Sequence, residues 1–218
     1  YVPRLKEANV KVMHKVTTVR HALSAEQAGV DLVGIIGVEQ GGAAGMDEVT
    51  TMVIVPAVVN ALKVPVVAGG GIGDARGFVA ALALGAEGVI IGTRFMATKE
   101  CPVHPKFKEW LLRARENDTV IVERSIRMTH RALKNKAAEK VLEMEARGTS
   151  LEELLPLIGG EGGRKLLFEG DLDAGLAHCG QVVGLIDDIP TVKEFIEGIV
   201  IGAKAIGKRL ASLGILQD

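Results

Sequence analysis

Residues 64–98 read VPVVAGGGIGDARGFVAALALGAEGVIIGTRFMAT, and no other stretch restricts the possible folds as much. Residues 64–68 form a short apolar run, β-branched at most positions, as a strand buried on both faces requires. The run ends in Gly69-Gly70-Gly71. Asp74 is placed to cap a following helix, and residues 75–84 carry the apolar side chains of a packed one. Val89-Ile90-Ile91 reads as a second buried strand, and it too ends in glycine, at Gly92-Thr93. Two consecutive βα units thus set bare backbone at the carboxyl end of a strand. Such loops let amides approach an anion closely, and a helix start adds positive potential. One glycine loop is explained by a tight turn alone. Two in adjacent units, with an N-cap and a hydroxyl, favour the phosphate of a cofactor or sugar. In a (β/α)8 barrel a phosphate site of this kind follows the last two strands.

The preceding residues keep the same alternation. Residues 10–16 (VKVMHKV) read as a first strand, which offers His14 and Lys15 to opposite faces. Residues 19–29 are an amphipathic helix closed by Gly29. Residues 31–38 are a second strand that runs into Glu39-Gln40-Gly41-Gly42-Ala43-Ala44-Gly45, too glycine-rich for a passive connection. Residues 49–62 are helical, with Pro56 expected to kink or split them. Strand–helix alternation without hairpins implies parallel strands joined by right-handed crossovers. The fold class is therefore α/β with four βα units, and the paired glycine loops fit the (β/α)8 TIM-barrel type.

Past Thr98 the character changes. Residues 105–116 are a helix carrying Trp110, expected against the barrel wall, and residues 119–126 a short strand or arm. Residues 130–147 read as a charged helix ending at Gly148. Ser150 caps a further helix with Glu153 completing a capping box, and residues 191–213 form a long terminal helix. Residues 1–100 are accordingly assigned to the barrel, and residues 101–218 to a helical lid or insert plus a C-terminal helix packed on it. The net charge of −1, with no strongly basic block, argues against a nucleic-acid partner. The basic residues Arg124, Arg127, Arg131 and Lys134 read as a solvated face, with contact to an anionic cofactor as the alternative. The longest apolar stretch is too short for a membrane span. No signal-peptide pattern is read, and Cys101 and Cys179 lack CxxC or metal-ligand spacing. The expected compartment is cytoplasmic, and no metal is expected.

The segments KVMHKVTTVRHALSAEQAGVDLVGIIGVEQGGAAG, VPVVAGGGIGDARG, GVIIGTRFMATKECPVHPKFKE and LDAGLAHCGQVVGLIDDIPTVKEFIEGIV together resemble the nitronate monooxygenase (2-nitropropane dioxygenase) family, especially the branch with NADH:quinone reductases. The resemblance covers nearly the whole chain. It implies a (β/α)8 barrel with non-covalent FMN and a helical insert over its mouth. It also implies that four further βα units precede those seen here, so that this chain corresponds to a C-terminal portion. By motif, Lys15 would be a positive neighbour of the flavin, and Gly41 and Gly42 would lie along the isoalloxazine edge. Gly70, Gly71, Gly92 and Thr93 would hold the phosphate.

Two positions depart from the family pattern. The family's glycine loop commonly reads GGH, and its histidine activates nitronates as a base; Ala43 stands there and cannot accept a proton. Ile36 stands where the quinone-reductase branch has an acid. Hydride transfer from NAD(P)H through a flavin to a quinone-like acceptor needs no such base, because the cofactor carries the difficult step. That is the expected activity. Nitronate oxidation, FMN-dependent enoyl-thioester reduction and a non-catalytic flavin- or phosphate-binding fragment are the alternatives. The expected partner is a small molecule, quinone-like or nitronate, and a homodimer stays open. No catalytic residue is assigned. Glu39 is a weak candidate, a loop-anchoring bond to backbone amides being the alternative. Arg94 pairs either with phosphate or with a nearby acid. His14 should face the helix layer, His21 the surface and His104 a turn, while His178 could reach the barrel mouth.

Overall fold

A computed structural model describes residues 1–214 of the chain. Helix α1 (Val2–Glu7) leads into β1 (Met13–Val16). There follow α2 (Val19–Gln27), β2 (Leu32–Ile36), the two-residue β3 (Gly42–Ala43) and α3 (Thr51–Ala61). Next come β4 (Val66–Gly69), α4 (Ala75–Ala83) and β5 (Gly88–Ile90). Strands β1, β2, β4 and β5 form one parallel sheet in that order.

Strand alternation splits this sheet into two unlike faces. Val33, Ile35, Val66 and Ala68 point to the helices and are buried with Ile54, Val55 and Val58 of α3. Each such Val or Ile contributes about 1.5–3 kcal/mol. On the other face Lys15 stands opposite Gly34, and Ile36 opposite Gly69. A Cβ on Gly34 would lie 2.8 Å from Ile90 Cδ1, and one on Gly69 2.6 Å from Ile36 Cδ1. The glycines therefore make room for the two isoleucines of the inner face.

Local signals set the helix starts. The Thr18 side chain accepts from the His21 amide at 3.1 Å, and Asp74 accepts from the amides of Arg76 and Gly77. Helix α3 runs through Pro56 as one element, so the segment is not split there. The carbonyl that loses its donor belongs to Met52, on the exposed side of the helix, where water can replace the bond.

Beyond Thr98 the structure is mixed, not wholly helical. Helices α5 (Thr93–Met96) and α6 (Pro105–Arg113) precede β6 (Thr119–Val122) and β7 (His130–Leu133). Helices α7 (Lys136–Ala146), α8 (Leu151–Ile158) and α9 (Gly160–Arg164) follow, then α10 (Val192–Ser212). The expected helix over 130–147 is thus a strand followed by a helix. His130–Leu133 pairs antiparallel with β6, and Asn135 then starts α7 by accepting from the Ala138 amide at 2.8 Å. The pairing that overrides helical propensity comes from residues 119–122, out of reach of a local reading. Strand β3 adds to the other edge of β7, so the glycine loop after β2 belongs to a second, antiparallel sheet.

The capping box of Ser150 and Glu153 is present, and α10 carries another, between Thr191 and Glu194. Trp110 lies at the margin of a second core built around Phe107, Leu111, Leu133 and Leu166, and not against the parallel sheet. Its ring meets Phe107 edge-on at 6.0 Å. Among the described residues no helix is long and apolar enough to cross a membrane.

Candidate functional site

A cavity of about 220 Å³ lies at the carboxyl ends of the parallel strands. Lys15, Gly41, Gly70, Gly71, Gly92 and Thr93 line it, and Gly180 and Val182 close it from the C-terminal segment. Two of these glycines are required by the backbone. Gly70 and Gly71 have φ of +94° and +71°, a region that L side chains rarely adopt. Gly41 is required by a close approach, since a Cβ there would fall 2.6 Å from the backbone carbon of Cys179. Gly92 differs from them: a Cβ there would meet nothing within 4 Å and would project into open space.

The wall suits an anion. Among the described residues no acceptor meets the amides of Gly71, Gly92 or Thr93. The start of α4 contributes less than its position suggests, because the Asp74 carboxylate already occupies the amides of Arg76 and Gly77. The Thr93 hydroxyl accepts from the Gly180 amide at 3.0 Å and keeps its own proton free to donate. Lys15 supplies the positive charge; its Nζ donates to Gln40 Oε1 at 3.3 Å, and Gln40 Nε2 donates to the Ala43 carbonyl. A phosphate group would therefore find both donors and charge there. A larger hollow of about 740 Å³ lies between α4 and α10, and none of these glycines lines it.

Gly42 does not line the cavity. It pairs with Arg131 across β3 and β7 and uses its freedom for a φ of +74°. Glu39 reaches the cavity wall, but both its carboxylate oxygens lie 3.0 Å from the Thr51 amide, where they cap α3. Arg94 is turned away from the cavity. It pairs with Asp188 and lies 4.9 Å from the centre of the Phe195 ring. His104 caps α6 by accepting from the Lys106 amide at 3.2 Å, and His14 and His21 are exposed.

Sequence reasoning missed the cluster on β7. Arg131 is buried, not part of a solvated face: its Nε donates to the Val38 carbonyl at 3.0 Å and its Nη1 to Thr119 Oγ1 at 2.9 Å. His130 Nδ1 lies 2.9 Å from Glu123 Oε2, and the carboxylate is only 4% exposed. The hydrogen bond to Glu123 raises the His130 value above that of an ordinary histidine. His178 lies 5.3 Å from the His130 ring centre. Its own value is lowered, first by the crowding that desolvates its ring and then by the His130 charge. The β-branched run TVIV was a local sign of β6, but nothing local pairs it with residues 130–133.

Residues 1–202 match the family model described as nitronate monooxygenase. The chain belongs to the nitronate monooxygenase family. This is a family of flavoprotein oxidoreductases with TIM-barrel folds, and the four βα units form part of such a barrel. A Rhodococcus jostii protein named (3aS,4S,5R,7aS)-5-hydroxy-7a-methyl-1-oxo-octahydro-1H-indene-4-carboxyl-CoA dehydrogenase is 34% identical across 99% of this chain and 70% of its own length. The structure of FabK from Thermotoga maritima superposes with a TM-score of 0.92 at 39% identity, over 98% of this chain and 67% of FabK. A nitroalkane oxidase from Streptomyces ansochromogenes shares the fold, with a TM-score of 0.82 at 23% identity over 96% of this chain and 62% of that one. This member of the nitronate monooxygenase family thus spans about two thirds of the length of these relatives.

Proposed function

We propose that the chain carries the phosphate-binding part of an FMN-dependent oxidoreductase that takes hydride from NAD(P)H and acts on an acyl thioester. The observation that carries the flavin reading is the cavity itself: unpartnered glycine amides and a lysine at the ends of adjacent parallel strands. FMN when bound would supply the hydride chemistry; the protein supplies placement and electrostatics. Gly71, Gly92 and Thr93 would donate to the phosphate, and Lys15 would neutralise negative charge on phosphate or reduced flavin.

The thioester reading takes its support from the Rhodococcus relative, a carboxyl-CoA dehydrogenase by name, whose match extends over nearly all of this chain. A cavity of about 140 Å³ between Phe107, Ile158, Leu167 and Leu176 supplies apolar wall beside His178. Reduction of a quinone-like acceptor is the competing reading, supported by the sequence resemblance. Nitronate oxidation through a base at position 43 has no support from an alanine.

The test is a visible spectrum of the full-length protein reconstituted with FMN, under anaerobic conditions, before and after NADH or NADPH. Bleaching of the flavin is expected, followed by return of the oxidised spectrum on adding a 2-enoyl-CoA. Return with a quinone but not with the enoyl-CoA would favour the competing reading. No flavin retention would reject the phosphate site.

A further inference from the structure

Strand β3 sets Ala43 directly opposite His130 of β7. Residues so paired project on the same face, with Cβ atoms about 4.5–5.5 Å apart. The imidazole therefore stands beside Ala43, the loop position where the sequence resemblance leads one to expect a histidine. It is not a free surface histidine. The Glu123 carboxylate, 4% exposed, lies 2.9 Å from Nδ1, while the imidazole is itself 21% exposed. A carboxylate at Nδ1 fixes the ring's orientation. Glu123 is held there by unusual backbone. Its φ is +65°, and its amide donates to Glu145 Oε2 at 3.0 Å. For a non-glycine residue such a conformation costs about 1–3 kcal/mol and persists only where the surroundings enforce it.

His130 itself lines neither cavity, but its neighbours do. Lys15 lines the glycine cavity and reaches Gln40, and Gln40 holds the Ala43 carbonyl. His178 flanks the ring from the C-terminal segment and borders the apolar cavity. The groups facing His130 are thus Glu123 after β6, Lys15 on β1 and His178, with Glu145 of α7 behind Glu123. The ring thus stands between Ala43, which is held by a residue of the glycine cavity, and His178, on the wall of the apolar one.

We propose that His130, oriented by Glu123, is the proton-transfer residue of this site, delivering a proton to the carbon α to the carbonyl of a 2-enoyl thioester. This rests on the thioester reading above. The C=C π bond breaks; the β-carbon gains a hydride for which NAD(P)H is the source, and FMN held in the glycine cavity would supply the chemistry that passes it on. The α-carbon gains the Nε2 proton of His130, and the ring takes a proton back from solvent. Two electrons and two hydrogens are thereby accounted for. Glu123 is a positioning residue.

The test uses the full-length protein with crotonyl-CoA. His130→Gln should lower turnover at least about 100-fold, and adding Ala43→His to that variant should recover at least about tenfold, because the new imidazole occupies the paired position. Flavin content reports that each variant is folded. Independently, the His130 ring followed by NMR in flavin-free protein should titrate above about 6.5, and Glu123→Gln should lower that midpoint. Turnover by His130→Gln within about threefold of wild type would overturn the assignment while leaving the thioester reading intact. Wild-type protein that never turns over the enoyl-CoA would instead overturn the thioester reading, and the assignment with it.

Discussion

The hydroxyl of Thr93 accepts a hydrogen bond from the amide of Gly180, 3.0 Å away and 87 residues later in the chain. This bond joins the turn after β5 to the C-terminal segment and closes the glycine cavity on one side. Thr93→Val keeps the shape and leaves a buried amide without an acceptor, which should cost about 1–3 kcal/mol. Urea denaturation measures the loss, and Thr93→Ser should restore most of it.

Gly41 and Gly92 line the same cavity but should respond differently to a side chain. At Gly41 a Cβ collides with the backbone of Cys179 and Gly180, so Gly41→Ala should destabilise by about 1–3 kcal/mol. At Gly92 a Cβ meets nothing within 4 Å, so Gly92→Val should leave the melting temperature near wild type and abolish FMN retention. Full flavin content in Gly92→Val would reject the proposed phosphate position.

The Asp31 carboxylate holds the start of the first parallel strand. It accepts from Lys6 at 2.6 Å, from the Val12 amide at 2.8 Å and from Lys11 at 3.1 Å. The Lys6 bond, then the Val12 amide and Lys11, hold its titration well below the usual carboxylate range. A depressed folded value means stability that is present above the ordinary aspartate value and lost as pH falls toward the folded one. Asp31→Asn should therefore lower the melting temperature at neutral pH, and the gap from wild type should close on acidification below about pH 4.

The His130–Glu123 pair has the opposite sign. The folded histidine value is raised, so its contribution is complete below the ordinary value and disappears as pH rises through the folded one. Wild type should lose its stability advantage over Glu123→Gln across that window, which thermal melts at a series of pH values would trace.

Cys179 is fully buried and Cys101 partly exposed. Burial pushes the Cys179 thiol well up, away from the reactive thiolate. A thiol reagent should label one cysteine in the native protein and two after denaturation. Rapid native labelling of both would show that the second core opens around Cys179.

The βα alternation, the glycine-ended strands, the Asp74 cap and the Ser150 capping box were legible because each is a local pattern with a local cause. Alternating faces come from strand geometry, and caps from a side chain reaching an amide two or three residues ahead. The glycines that needed positive φ or close approach were visible as glycines, but their separate tasks were not. Gly42 serves the second sheet, whereas Gly41, Gly70, Gly71 and Gly92 line the cavity.

From sequence alone came the class of the fold and the places where bare backbone could meet a phosphate. Both follow from periodicity and residue type over a few turns of chain. Only the tertiary structure placed Gly180 on Thr93, buried Arg131 against Val38, and set His130 on Glu123 beside Ala43. Strand pairing across 87 residues and ion pairs across a hairpin depend on which distant segments pack together. That is decided by the whole core, and no local stretch of residues encodes it.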